Sequence, residues 1–258
     1  MNILIGDIGN TNTKICLVKK SNLKVIKMIN FNSKDIINDK EILKKLKKLT
    51  LNRTINKIGL FSSVVPKYFF VLKKNIKKSF QVSLKEIKDK KIDKIVNIKV
   101  KNIQQLGSDR IANAVGVFKK YKMNCIVVDL GTATTFDVVN KNGTYNGGII
   151  SPGIKLSIKS LSNTADQIPL FSLRKKKKII GKNTIEALQS GFYWGYTGLI
   201  NNIILKIESE TKKKYKVIFT GGYANLFKTS IRRSFVIDRN ITISGIIEIF
   251  KKNKKLFN

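Results

Sequence analysis

The sequence contains no histidine, and only 16 acidic residues stand against 51 lysines and arginines. Without an imidazole, the chain has no Ser-His-Asp triad, no Cys-His pair and no His-ligated zinc site. Proton transfer by a side chain must therefore use a carboxylate or a lysine. The two cysteines, Cys16 and Cys125, follow apolar segments far apart in the chain. This pattern predicts buried thiols in a reducing compartment rather than a disulfide or a redox pair.

Long hydrophobic runs are also missing, since no stretch reaches the roughly 18 apolar residues that a membrane-spanning helix needs. The N-terminus meets Asp7 too early for a signal peptide. With 258 residues, of which 42% are hydrophobic and 26% charged, the chain has a globular composition and room for one large or two small domains. We expect a soluble cytoplasmic protein with no membrane partner.

The formal net charge of +35 raises the question of a nucleic-acid partner. Basic side chains neutralise phosphates and release counterions, so a surplus of this size attracts polyanions. However, only six of the 51 basic residues are arginines, whereas recognition of bases and phosphates favours the guanidinium fork. The lysines are spread along the chain among many Asn and Ile residues, a composition that drift in an A/T-rich genome also produces. We predict weak, salt-sensitive binding to polyanions and no specific nucleic-acid partner.

Two similar hairpin patterns occur about half a chain apart. Residues 3–18 and 126–139 each consist of an apolar run, a polar turn rich in threonine with glycine, and a second apolar run. One offset of 122 residues (129 − 7) aligns Asp7 with Asp129, Gly9 with Gly131 and Thr13 with Thr135. The repeat predicts two similarly built halves with a boundary near residues 110–122.

Helical and strand-like segments alternate in both halves, which indicates an α/β architecture. Strands are predicted at residues 25–31, 58–62, 147–150 and 216–219, and helices at residues 34–49, 111–121, 185–207 and 244–252.

The turn of the first hairpin has the composition of a phosphate-binding loop. Gly9 allows close approach of a ligand, and Asn10, Thr11, Asn12 and Thr13 supply short donors and exposed amides around it. The positive charge of Lys14 follows, and Asp7 can hold Mg²⁺ directly or through water. A plain β-hairpin would use similar turn residues, but its recurrence in the same frame favours a ligand site. A strand that runs into paired glycines at residues 217–222 is a weaker candidate for a nucleoside contact.

Together these features resemble the superfamily of sugar kinases, acetate kinase, actin and heat-shock ATPases. Within it, the sequence is similar to type III pantothenate kinases over essentially its full length. The resemblance implies two duplicated ribonuclease-H-like domains, residues 1–115 and 116–258, that close over ATP. It also implies transfer of phosphate from ATP, with Mg²⁺, to pantothenate, giving 4′-phosphopantothenate in the first step towards coenzyme A. The matching segments are residues 7–14, 62–66, 106–114, 128–135, 147–153, 164–165 and 180–184.

On the substrate side, the resemblance assigns roles to five residues. Gly107, Ser108, Asp109 and Arg110 match the motif that forms the pantothenate site of the family, and Thr184 matches a further substrate contact. Asp109 would accept the proton of the attacking hydroxyl, while Arg110 can fork onto the substrate carboxylate. The residues alone also allow Ser108 or Asp109 to cap the following helix, which is compatible with catalysis.

On the nucleotide side, Asp129 resembles the ligand of a monovalent cation, K⁺ or NH₄⁺, and Thr132 resembles an ATP-phosphate contact. A cation there would offset the charge of a triphosphate beside carboxylates. The alternative for Asp129 is simple capping of the end of a strand. Asp7 and Lys14 fall in the Mg²⁺-ATP site. Family members are dimers with the substrate site near the subunit interface, so we expect a homodimer.

One position departs from the family pattern. Many members carry a tyrosine about ten residues before the arginine of the substrate motif, and Val100 aligns with it here. The loss of one hydrogen bond of roughly 1 kcal/mol would change affinity several-fold without abolishing the reaction. Two other functions stay open at this point. One is a non-catalytic regulator or nucleic-acid-binding relative with the same fold, and the other is a kinase of another small hydroxylated substrate.

Overall fold

The computed structural model of the chain describes residues 1–89 and 92–257. Over these residues the chain alternates between strands and helices. In chain order the elements are β1 (Asn2–Ile8), β2 (Asn12–Lys19), β3 (Val25–Asn32), α1 (Asp39–Thr50), β4 (Ile58–Ser63), α2 (Pro66–Phe80), β5 (Ser83–Glu86), β6 (Asn97–Ile98), α3 (Ser108–Tyr121), β7 (Cys125–Leu130), β8 (Ala133–Val139), β9 (Thr144–Pro152), α4 (Ile154–Thr164), α5 (Thr184–Thr211), β10 (Lys216–Gly221), β11 (Phe235–Ile237) and α6 (Ile241–Lys252).

Two compact units share this chain, and both are discontinuous in sequence. Unit 1 consists of Met1–Tyr121, Gly143–Tyr145 and the segment from Asn240 onwards, and unit 2 consists of Lys122–Asn142 and Asn146–Arg239. The chain therefore leaves unit 1, builds unit 2 and returns. The predicted boundary between residues 115 and 116 falls inside α3, which belongs to unit 1. The division of the chain into halves at residues 1–115 and 116–258 stays a proposal.

Unit 1 is built on a sheet with the strand order β3-β2-β1-β4-β5. The first three strands are antiparallel, whereas β1, β4 and β5 run parallel. β1 is an almost continuous apolar run because helices cover both of its faces. Leu4 and Ile8 pack in one core with residues of α1 and α2. The helices α3 and α6 pack against each other and contact β1 and β4.

The contact between α3 and α6 is close because small residues lie at it. A Cβ atom on Gly116 would lie 2.5 Å from the carbonyl oxygen of Ile241. Between the same helices, the Thr242 hydroxyl donates to the Asn113 side-chain oxygen at 2.7 Å, in a buried position. The last helix of the chain thus completes the unit that the first strand begins.

Unit 2 is built on a sheet with the strand order β11-β10-β7-β8-β9. β9 starts in unit 1, where its first two residues pair with β6, and continues in unit 2. The helix α5 begins at a cap formed by Asn183, whose side chain accepts the Glu186 N–H at 2.9 Å. The apolar core of this unit includes Ile126, Phe136, Tyr193, Ile200 and Phe219.

Most predicted elements are confirmed, and the differences have local causes. The helix predicted at residues 34–49 is interrupted, because a short 3-10 turn (Ser33–Ile37) ends at Asn38. Asn38 then caps α1 by accepting the Glu41 N–H at 3.5 Å. The sequence analysis did not predict α2, α4, β5, β6 or β11.

Both cysteines are free thiols with no exposed surface, as predicted. Burial raises the pKa of Cys16 to about 12 and that of Cys125 to about 11, so both remain protonated near neutral pH. Among the described residues, no helix combines the length and apolar character needed to cross a bilayer.

Candidate active site

The first hairpin joins β1 to β2 through a turn of four residues. Asp7 pairs with Lys14 and Ile8 pairs with Thr13, while the Gly9 N–H donates to the Asn12 carbonyl at 3.0 Å. Directly opposed residues of an antiparallel pair project their side chains on the same face. The carboxylate of Asp7 and the ammonium of Lys14 therefore leave the base of the turn on one side of the sheet.

The turn itself is open to solvent, but Thr13 is not. Asn10 and Asn12 are exposed, and Thr11 is partly exposed. The Thr13 hydroxyl is fully buried and lies 2.8 Å from the hydroxyl of Ser33, which in turn donates to the Gly9 carbonyl at 2.7 Å. The hydroxyl of Thr13 thus braces the turn from its buried side, while Asn10 and Asn12 remain open to solvent.

Two serines at the end of β4 connect the hairpin to the predicted substrate motif. In the parallel pair of β1 and β4, Asp7 lies beside Ser62, and the Val64 N–H donates to the Ile8 carbonyl at 3.1 Å. The Ser62 hydroxyl donates to the Ser108 hydroxyl at 3.2 Å. Because the carboxyl ends of parallel strands meet at one edge of a sheet, the two predicted sites lie at the same edge of unit 1.

The hydroxyl of Ser108 makes several hydrogen bonds to β4. Besides accepting from Ser62, it accepts the Ser63 N–H at 2.9 Å and donates to the Ser63 carbonyl at 2.7 Å. Ser108 therefore anchors the start of α3 to β4. The first helical hydrogen bond is accepted by Gly107, whose carbonyl receives the Ile111 N–H at 3.2 Å.

Asp109 follows in the first turn of α3. Its Oδ1 atom accepts the Arg110 N–H at 2.8 Å. Burial raises the pKa of Asp109 above its ordinary value, and the Arg110 N–H and guanidinium act in the opposite direction. A Cβ atom on Gly107 would lie 2.5 Å from Asp109 Oδ1, so only glycine leaves this carboxylate where it is.

Arg110 projects from the same turn over an aromatic ring. Its guanidinium carbon lies 6.0 Å from the centroid of the Tyr145 ring, which is buried. Tyr145 pairs with Ile98 of β6, two residues before Val100. A tyrosine therefore contacts the substrate-motif arginine, although Val100 aligns with the family tyrosine.

The second hairpin joins β7 to β8 with a turn one residue shorter. Leu130 pairs with Thr134 and Asp129 pairs with Thr135, and the Gly131 N–H donates to the Ala133 carbonyl at 3.1 Å. The alignment of Thr13 with Thr135 is therefore wrong by one residue in the second strand. Thr13 corresponds structurally to Thr134, which is also fully buried, and Lys14 corresponds to Thr135.

The surroundings of Asp129 fit a bound cation. A Cβ atom on Gly221 would lie 2.6 Å from both Asp129 Oδ1 and the Leu130 carbonyl oxygen, so glycine keeps space beside these two oxygens. The backbone of Gly221 is left-handed (φ +86°), a conformation that other residues rarely adopt. Carboxylate and carbonyl oxygens suit hard cations. No cluster of three or more acidic or cysteine side chains is found in the described part of the chain, so a cation would need ligands of other kinds as well.

The remaining predicted residues lie in unit 2. Thr132 is exposed at the turn of the second hairpin, and its carbonyl lies against Gly153. Thr184 is the first residue of α5 and is exposed. The structure thus places Asp7, residues 9–14 and residues 107–110 together in unit 1, whereas Asp129, Thr132 and Thr184 belong to unit 2.

Some residues at the site had no role in the sequence-based prediction. They are Ser62, Ser63, Glu86, Lys88 and Tyr145. Ser62 and Ser63 lie in a matching segment of the resemblance, which is a signal that could have found them. Glu86, Lys88 and Tyr145 are distant from the substrate motif in sequence, and only the folded chain brings them close to it.

Comparison of the chain with known proteins identifies its family. The family model for type III pantothenate kinase matches residues 3–206. A type III pantothenate kinase of Pelagibacter ubique is 48% identical over 246 residues, which cover 95% of this chain and 97% of the relative. That of Halalkalibacterium halodurans is 34% identical over 260 residues, covering 97% and 99%.

A solved structure supports the fold at lower identity. The structure of a conserved putative Baf family transcriptional activator from Campylobacter jejuni superposes with a TM-score of 0.62 at 22% identity, covering 98% of this chain and all of that one. The whole-length match and the sequence identities lead to one assignment: the chain belongs to the type III pantothenate kinase family.

Proposed function

We propose that the protein transfers the γ-phosphoryl group of ATP to the terminal hydroxyl of pantothenate, forming 4′-phosphopantothenate for coenzyme A synthesis. One observation carries the proposal. Asp109, a partly buried carboxylate at the start of α3, is joined through Ser108 and Ser62 to the sheet edge where Asp7 and Lys14 flank a phosphate-type turn.

Asp109 acts as the general base. Burial raises its pKa and makes it a stronger proton acceptor than an exposed aspartate, while the charge of Arg110 favours its ionised form. The hydroxyl of pantothenate gives its proton to the Asp109 carboxylate as its oxygen attacks the γ-phosphorus, and the bond from that phosphorus to the β,γ-bridging oxygen breaks to release ADP. Arg110 binds the substrate carboxylate, and Tyr145 holds the guanidinium plane. Gly107 keeps the space that this arrangement needs. Thr184 adds a substrate-side contact.

The first hairpin binds the phosphates of ATP. Gly9, whose own N–H is held by the Asn12 carbonyl, allows the phosphates to approach closely. Asn10, Thr11 and Asn12 supply donors to the phosphate oxygens, with the hydroxyl of Thr13 bracing the turn. The ammonium of Lys14 offsets their charge. Mg²⁺, when bound, neutralises the phosphates further, and Asp7 would hold it directly or through water, since Mg²⁺ sites combine one or two carboxylates with substrate phosphates.

The second hairpin contributes a monovalent cation and a phosphate contact. The oxygens of Asp129 and Leu130 would hold K⁺ or NH₄⁺ in the space that Gly221 leaves, and Thr132 meets ATP. The cation offsets the combined negative charge of the carboxylate and the triphosphate.

Exposed apolar side chains in unit 2 support a homodimer. Leu170, Ile179 and Ile180 each keep about two-thirds or more of their surface exposed, and Ile150 is 64% exposed. Large apolar side chains that remain exposed are candidates for an interaction surface. Sedimentation equilibrium at micromolar concentration is expected to give twice the chain mass, and a single-chain mass at all concentrations would rule the homodimer out.

We place the enzyme in the cytoplasm, with no specific nucleic-acid and no membrane partner.

The test measures ADP formation from ATP with and without pantothenate, in potassium and in sodium buffer. Wild type should show pantothenate-dependent turnover that potassium stimulates. Asp109→Asn should lower kcat by about 10²–10⁴-fold, whereas exposed Asp166→Asn should not change it. As the pH falls through the raised pKa of Asp109, the base takes up its proton and turnover is lost.

Other outcomes of the same assay identify other functions. Folded protein that binds ATP without turnover in any buffer would contradict the kinase and favour a regulator or nucleic-acid-binding relative, which a salt-dependent DNA titration then tests. Turnover that needs another hydroxylated acid or sugar instead of pantothenate would contradict the substrate alone.

A further inference from the structure

The segment after β5 holds the substrate motif in place, and the proposed mechanism gives this segment no role. β5 lies parallel to β4 and ends at Glu86, which pairs with Phe61 just before Ser62. The chain turns sharply there, because the Lys88 N–H donates to the Glu86 carboxylate at 2.6 Å. This turn brings the side chain of Lys88 towards the segment that precedes α3.

The ammonium of Lys88 binds two backbone carbonyls of that segment. Lys88 Nζ donates to the Gln104 oxygen at 2.9 Å and to the Leu106 oxygen at 3.0 Å. Leu106 directly precedes Gly107, the first residue of the substrate motif. Hydrogen bonds from a charged donor are stronger than neutral ones, and two of them from one ammonium fix both the position and the orientation of a loop.

Glu86 is close to the motif as well. Burial raises the pKa of its carboxyl, while the Lys88 N–H, the Ser108 side chain and the Ser63 N–H favour the ionised form. The Glu86 carboxyl therefore lies between the Lys88 turn and the start of α3. It holds the backbone of Lys88 so that the ammonium reaches its two carbonyls.

Asp109 is consequently fixed from two directions. On one side, Lys88 holds Leu106, and on the other, Ser62 and Ser63 hold Ser108. Between them, Gly107 approaches the Asp109 carboxylate closely. A shift of about 1 Å in a reacting group can cost two orders of magnitude in rate, so a loop bound at both ends is well suited to carry a general base.

We propose that Lys88, oriented by Glu86, is a positioning residue for the substrate turn at residues 107–110. It touches neither substrate nor ATP, and it acts through the carbonyls of Gln104 and Leu106. The inference rests on the proposed function, because that function makes residues 107–110 the pantothenate site. The phosphate turn at residues 9–12 has its own bracing by Thr13 and Ser33, so it should be independent of Lys88.

The test compares Lys88→Met, which keeps the length of the side chain but has no donors, with Lys88→Arg and with Lys101→Met. Lys101 is an exposed lysine of the same connecting segment and serves as the matched control. Lys88→Met should raise the KM for pantothenate and lower kcat, reducing kcat/KM by about 10–100-fold, with the KM for ATP within about twofold of wild type. Lys88→Arg should recover most of this loss, and Lys101→Met should match wild type.

Amide hydrogen exchange supplies a readout that does not depend on turnover. Opening of the turn should speed exchange at Arg110 and Ile111 by about tenfold in Lys88→Met, with exchange at β1 and β2 unchanged. If wild type proves inactive towards pantothenate, the proposed function fails, while this exchange comparison still decides the role of Lys88.

Three results would overturn the inference. They are equal kinetics and exchange in Lys88→Met and Lys101→Met, a parallel rise in the KM for ATP and for pantothenate, or no recovery in Lys88→Arg. If Lys88→Met does not fold, Glu86→Gln replaces it, because the amide still accepts the Lys88 N–H but weakens its hold. An unchanged KM for pantothenate together with unchanged exchange in Glu86→Gln would then contradict the proposal.

Discussion

The two hairpins begin alike, with a buried strand whose next-to-last residue is an aspartate, and differ by one residue in their turns. Four residues separate the paired Ile8 and Thr13 in the first, and three separate Leu130 and Thr134 in the second. Side chains alternate between the faces of a strand, so one residue decides which side chain stands opposite the aspartate. In the first hairpin it is a lysine, and in the second it is Thr135.

Because of this difference, the two hairpins surround their aspartates with different charges. The first hairpin places a covalently attached cation opposite Asp7. The second places a neutral hydroxyl opposite Asp129 and keeps space beside the carboxylate with Gly221. The proposed function places a bound cation beside Asp129, where it would supply the positive charge that Lys14 supplies opposite Asp7, and the following predictions test that comparison.

The largest effect is expected from Lys14→Thr, which gives the first hairpin the charge pattern of the second. Loss of a fixed cation at the phosphates should lower kcat/KM for ATP by about 10²–10³-fold. Steady-state kinetics with varied ATP measures it, and Lys19→Thr, at the exposed end of the same strand, is the control. A change of less than threefold would mean that the hairpins do not divide the charge as described.

The second-largest effect is expected from Gly221→Ala, which should disturb the second hairpin. A Cβ atom there would press on Asp129 Oδ1 and on the Leu130 carbonyl, and φ is +86°. We expect half-maximal activity to need about tenfold more K⁺, with a loss of about 1–2 kcal/mol in the free energy of unfolding from backbone strain. Gly222→Ala is the matched control, because its Cβ would meet nothing within 4 Å. Equal potassium titrations of the two variants would argue against a cation at Asp129.

Thr135→Lys makes the second hairpin resemble the first. An ammonium opposite Asp129 should replace the bound cation, so the several-fold ratio of turnover in potassium to turnover in sodium expected of wild type should fall towards one. Thr135→Gln, similar in bulk but neutral, should keep the wild-type ratio. If both variants respond to potassium in the same way, a positive charge opposite Asp129 does not replace the bound cation.

The smallest effect concerns stability and compares the two buried threonines. Thr13→Val removes a buried hydrogen bond to Ser33 and should cost about 1 kcal/mol in the free energy of unfolding. The hydroxyl of Thr134 is buried and has no hydrogen-bond partner among the described residues, so Thr134→Val should change stability by less than about 0.5 kcal/mol or increase it. Urea denaturation measures both, and equal losses would contradict the comparison.

Periodicity and turn chemistry predicted both hairpins and most of the larger elements, because these signals are local. The register of the second hairpin could not be predicted, since it depends on whether Gly131 bonds to Ala133 or to the next residue. The break at Asn38 was likewise hidden within a helical pattern.

The candidate site also contains residues that the sequence predicts and residues that it does not. Asp7, Lys14 and Asp109 could be named from motifs, because each lies in a short recognisable segment. Lys88 and Tyr145 could not, since each reaches the substrate motif through contacts that only the folded chain creates: the carbonyl of Leu106 lies 18 residues from Lys88 along the chain. No pattern in the sequence marks such a contact in advance.

The return of α6 to unit 1 has a consequence for the synthesis of the chain. α3, whose first turn carries Asp109, packs against α6, which the ribosome makes only after all of unit 2. During translation, α3 therefore lacks its packing partner until residues 241–252 emerge. A chain that ends before α6 lacks the packing partner of the helix that carries the proposed base, so we expect the proposed turnover to need residues 241–252.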